Sequence, residues 1–72
     1  MRPFDLYAAL NGAPIVTRMG EPVRIADYNP AAFEWTRVLA WVQGQSVAYT
    51  YNTEGKYSML RASSYDLFMK ED

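Results

Sequence analysis

Acid–base chemistry in this 72-residue chain falls first to its carboxylates, because it has no histidine and no cysteine. Their absence removes the commonest general base, the commonest metal ligands and the strongest thiol nucleophile together. Asp5, Asp27, Glu34 and Asp66 are scattered, and no pair has a spacing that forces two carboxylates into one site. Ser63-Ser64 lacks a histidine base, and Lys56 and Lys70 stand in no Ser/Lys motif. Gly12, Gly20, Gly44 and Gly55 are separated, as turn glycines are, rather than gathered into a phosphate-cradling loop. No catalytic, cofactor or metal site is expected, and the chain reads as a binding protein rather than an enzyme.

Its abundant functional surface is aromatic: six tyrosines, three phenylalanines and two tryptophans. Two arrangements of these rings follow from the sequence. If residues 33–43 form a strand, Trp35, Arg37 and Trp41 share a face, and Tyr49 and Tyr51 can join them from a neighbouring strand. The alternative is that the tryptophans fill the core and the tyrosines cover its rim, as large rings usually do. The first arrangement makes Trp35, Arg37, Trp41, Tyr49 and Tyr51 the candidate partner-binding residues. Interface centres favour tryptophan, tyrosine, methionine and arginine over lysine, and this chain has four methionines and only Lys56 and Lys70 as lysines. A protein partner, or self-association through an edge strand, suits that composition. Base stacking beside Arg18, Arg24 and Arg61 is the second possibility. Against it stand the net charge of −1 and the interspersed Glu21, Asp27, Glu34 and Glu54, which repel phosphate.

The elements that position these residues are short. A single domain of this length buries about 60% of its unfolded surface and draws only roughly 3–5 kcal/mol of net stability from its core. Asp5 caps a helix over Leu6–Leu10 that ends at Asn11-Gly12. Pro14–Arg18 and Pro22–Tyr28 form a hairpin across Met19-Gly20. Between residues 29 and 45 local signals divide evenly. Asn29-Pro30, with Tyr28 and Phe33 as a hydrophobic staple, reads as a helix start, whereas β-branched and aromatic residues with period-two alternation read as a strand. Ser46–Asn52 is the clearest strand. Thr53-Glu54-Gly55 has the form of a three-residue loop, and Lys56–Leu60 is expected to pair back. Tyr65–Met69 gives a last short strand or turn. The expected core is Val16, Val23, Ile25, Val38, Ala40, Val47 and Leu67, with Leu6 and Leu10 sealing one end.

Pro3-Phe4-Asp5-Leu6 with Ala9, Gly12 and Pro14, then Val16-Thr17-Arg18 with Gly20 and Val23-Arg24-Ile25, resembles a group of small phage, prophage and bacterial proteins. Tyr49-Thr50-Tyr51, Glu54-Gly55-Lys56-Tyr57 and Ser64-Tyr65-Asp66-Leu67-Phe68-Met69 match as well. The resemblance implies a β-rich domain with an extended middle segment, which favours strand over helix there. It carries no activity to transfer. In residues 29–37 the chain departs from the group, which leaves a helical start open. The fold expected is therefore mainly β: a strongly bent antiparallel sheet or SH3-like barrel of about five strands with a short N-terminal helix. No apolar run marks a signal peptide or a membrane span, so a cytoplasmic setting is expected, with a host or phage protein as partner and no membrane.

Overall fold

The computed structural model describes residues 2–71. It consists of β1 (Arg2–Pro3), α1 (Leu6–Leu10), β2 (Ile15–Thr17), β3 (Pro22–Tyr28), a 3-10 turn (Glu34–Thr36), β4 (Val38–Val42), β5 (Tyr49–Tyr51) and β6 (Leu67–Met69). All six strands join one antiparallel sheet in the order β1-β6-β2-β3-β4-β5. The fold is mainly β, with one strand more than the sequence suggested.

α1 forms where its caps allow. Asp5 is extended, and its Oδ1 accepts from the Ala8 N–H at 3.1 Å, which satisfies one of the donors a helix start leaves open. Leu6 and Ala9 are buried beneath this short helix. β2 and β3 make the expected hairpin, and Thr17 and Glu21 close it with the Thr17 N–H donating to Glu21 O at 2.9 Å. In β4 the alternation is clean: Val38, Ala40 and Val42 are buried, while Leu39 and Trp41 look outward. Period-two burial of this kind marks a sheet with one face on the core.

The sheet bends until the segment after β5 reaches β6. Leu67 N–H donates to Gly55 O at 2.9 Å, beside the place where Pro3 of β1 pairs with Phe68. The centre of the fold holds Leu6, Val38, Ala40, Tyr51 and Leu67, with Phe4, Val23, Ile25 and Tyr28 packed against them. Ala9, Ile15 and Met69 continue the core under α1.

Four expectations are corrected. The strand across residues 33–43 is only β4; its first part is the Glu34–Thr36 turn, a single helical turn in which Thr36 N–H donates to Phe33 O at 2.8 Å. Lys56–Leu60 does not return as a strand. The loop itself forms, with Gly55 at φ +80°, but Lys56 N–H is taken by Asn52 Oδ1 at 2.8 Å and Tyr57 N–H by Asp66 Oδ1 at 3.0 Å. Val47 lies in a bend after β4 and is 56% exposed. Leu10 is 43% exposed, because five helical residues offer one narrow buried stripe, filled by Leu6 and Ala9. Among the described residues no helix is long and apolar enough to cross a membrane.

Candidate functional site

The register of β4 with β5 decides the fate of the five candidate residues. Val38 stands opposite Tyr51 and Ala40 opposite Tyr49. Directly opposed residues of neighbouring strands share a face, so both tyrosines turn inward with the valine and alanine. Tyr51 is fully buried. Burial pushes its phenol well above the ordinary value, and its hydroxyl donates to Tyr65 O at 2.8 Å. Trp41 belongs to the outer face, opposite Arg24 of β3, and is 38% exposed. Arg37 is spent on local structure, its Nε donating to Ala32 O at 2.9 Å. Trp35 sits in the 3-10 turn. The five do not make one patch: two are inside, one faces out, and two belong to the connection before β4.

The inward tyrosines instead found a cluster. Tyr49 stacks on Tyr65 with ring centres 4.7 Å apart, and Tyr57 packs edge-on against Tyr49 at 5.6 Å. The neighbouring Tyr65 side chain is the main cause that raises the Tyr49 phenol above its ordinary value. Tyr57 also meets Tyr51 at 6.0 Å and Tyr65 at 5.7 Å. Offset and edge-on pairs each contribute about 0.5–1.5 kcal/mol beyond their burial. These rings fasten the long connection between β5 and β6 to the sheet.

Asp66 fastens the other side of that connection. Its Oδ1 accepts from Tyr57 N–H, and its Oδ2 accepts from Ser63 N–H at 3.0 Å and from the Arg18 guanidinium at 3.1 Å. Burial alone would raise this carboxyl, but the two N–H donors and the arginine outweigh it and hold it below the ordinary carboxylate value. Arg18 also donates from Nε to Ser63 O at 3.1 Å and lies over the Phe68 ring, 4.8 Å from its centre. The connection is thereby pinned at Tyr57, Ser63, Tyr65 and Asp66.

Between those anchors the chain projects Met59 and Leu60 into solvent, 67% and 86% exposed. They border a cleft of about 430 Å³ that also takes Trp35 and Glu34 from the 3-10 turn and Arg61 from the connection. The charges at its margin are largely matched: Arg18 with Asp66, and Lys56 Nζ with Glu54 at 3.5 Å. A concave, mixed margin that sets Trp35, Met59 and Leu60 among charged side chains on a pinned backbone is suited to holding an apolar side chain of another molecule.

Of the five candidate partner-binding residues only Trp35 lies at this cleft, together with Arg18 and Arg61 of the base-stacking alternative. Met59 and Leu60 were missed because their segment read as a strand, in which alternate residues would be half-buried. The usable signal was Ser63-Ser64 before Tyr65-Asp66, a polar turn beside a carboxylate that captures backbone donors. Comparison with protein-family models, with curated proteins and with solved structures finds no match to this chain.

Proposed function

We propose that the chain is a non-enzymatic interaction module, encoded by a phage or prophage and acting in the cytoplasm, that binds a host or phage protein through the Trp35–Met59–Leu60 cleft. The observation that carries this reading is the pairing of two highly exposed apolar side chains with a tightly anchored backbone. A mobile loop would lose conformational entropy on binding, about 1–2 kcal/mol for each backbone residue ordered; a pinned one loses less. Arg61 at the rim adds a planar donor suited to partly buried contacts.

Nucleic-acid binding is the second reading, favoured by Trp35 lying in the same cleft as Arg18, Lys56 and Arg61. The engagement of Arg18 and Lys56 with carboxylates counts against it.

The test is capture from bacterial lysate by the tagged chain, with and without nuclease, beside the double variant Met59→Ser/Leu60→Ser. The expected outcome is a discrete protein, retained after nuclease, little affected by salt and lost with the variant. Both positions are exposed, so the variant's stability should stay within about 0.5 kcal/mol of the parent. Capture that vanishes with nuclease and falls steeply with salt would replace this reading with the second.

A further inference from the structure

β3 is seven residues long and β2 only three. β2 pairs with Pro22 and Val23 and lies against no later residue of β3. From Arg24 to Tyr28, β3 is bonded to β4 on one side, and no strand among the described residues lies against the other. That side opens on a groove of about 380 Å³ bordered by Leu10, Ala13 and Pro14. Unpaired strand edges present N–H and C=O groups that accept a further strand.

Two hydrogen bonds fix which groups point outward. Gln43 N–H donates to Pro22 O at 2.9 Å, and Asn29 N–H donates to Arg37 O at 2.9 Å. Between them the register shifts by one residue, from Ile25 to Asp27. Counting inward from both ends, the main-chain groups of Arg24 and Asp27 face β4, and those of Ile25 and Tyr28 face the open edge. The shift also brings Arg24 and Asp27 to the same, outer face, opposite Trp41 and Leu39. Neither has an ion-pair partner among the described residues.

We propose that this edge pairs with the same edge of a second copy of the chain, antiparallel about a two-fold axis. Ile15 already occupies the place beside Val23, so the incoming strand is confined to Arg24 and beyond. Matching the outward-facing groups sets Ile25 beside Tyr28 of the second copy, twice by symmetry, on the apolar face. Arg24 then lies on the diagonal from Asp27 of the second copy, a separation of about 7–8 Å that a long side chain spans. An edge carrying one arginine and one aspartate on one face thus meets its own copy with opposite charges at both places, as an isologous contact requires. The open stretch is short, so the association is weak and dependent on concentration.

Sedimentation velocity of the full chain, from about 10 μM to about 1 mM, spans the range such interfaces occupy. The sedimentation coefficient should rise with concentration toward that of a dimer. Arg24→Asp and Asp27→Arg should each weaken association at least ~10-fold, and the double exchange R24D/D27R should restore it to within ~3-fold, since the two charges merely trade places. Far-UV circular dichroism confirms that each variant is folded. Should either exchange unfold the chain, Ala26→Asp, at an exposed position of the same edge, stands opposite Asp27 of the second copy, sets like charges there twice by symmetry and should abolish the rise. A coefficient constant over the whole range overturns the proposal, even if the edge takes an extended peptide instead. So does a double exchange that fails to restore a loss seen in the single variants.

Discussion

Asp66 ties three parts of the chain together: its two oxygens hold Tyr57, Ser63 and Arg18. Replacing it by alanine leaves the two backbone donors and the guanidinium to find water, at a cost of about 2–3 kcal/mol. Because its folded-state carboxyl is held below the ordinary value, the unfolded chain takes up this proton first. The stabilisation is full above the unfolded value of about 3.9 and is lost as pH falls through it toward the lower folded value. Urea unfolding at pH 7 and at stepwise lower pH should show Asp66→Ala destabilised at neutrality, with a shallower loss than the parent on acidification. Equal acid sensitivity in both proteins would place the titration elsewhere.

At the scale of elements, the turns are as specific as the strands. Gly55 has φ +80°, and a Cβ added there would stand 2.8–2.9 Å from the Phe4 side chain. Gly20 has a similar φ of +86° but open space around it. Both alanine variants carry the left-handed backbone cost of about 1–2 kcal/mol; only Gly55→Ala adds a clash with a ring that is itself packed on the core. Thermal melts should therefore rank Gly55→Ala clearly below Gly20→Ala. α1 and the β2–β3 hairpin were legible in the sequence because their signals are local: a capping aspartate, a turn glycine, alternation over a few residues. The buried side of Val38–Val42 was legible for the same reason. What the sequence concealed was non-local. Tyr57 N–H could bond across a hairpin or to a carboxylate nine residues on, and only the folded chain decides between them. The same decision removed the strand at Lys56–Leu60 and left Met59 and Leu60 at the surface, while the β4–β5 register turned Tyr51 inward. Trp35 was misplaced by a short-range competitor, one helical turn interrupting an alternating pattern.

For the whole molecule, the ladders are unequal. β3 and β4 share five register pairs, whereas β1 and β6 share two. Local opening follows the number of bonds and the apolar packing that must be released together. Amide hydrogen exchange should find the slowest protons in Leu39 and Trp41, whose main chains face Asp27 and Arg24 of β3, near the global unfolding limit. The Arg2 amide, the one exchangeable backbone proton of β1, should exchange early, and the Met59–Leu60 amides faster still, although the backbone on either side of them is anchored. Uniform protection across the sheet would mean that it opens only as a single unit.

The position of β6 carries a further consequence. The strand nearest the end of the described chain is inserted between β1 and β2, so the sheet is completed from its middle. During synthesis, which adds about 5–20 residues each second, the first five strands emerge without the one that joins β1 to the rest. Through that interval Ile15, Val16 and Leu6 lack Leu67 and Met69 to cover them, and the exposed margin of β2 is open to any neighbouring nascent strand. The interval between the synthesis of β5 and that of β6 is therefore when the sheet is most open to mispairing.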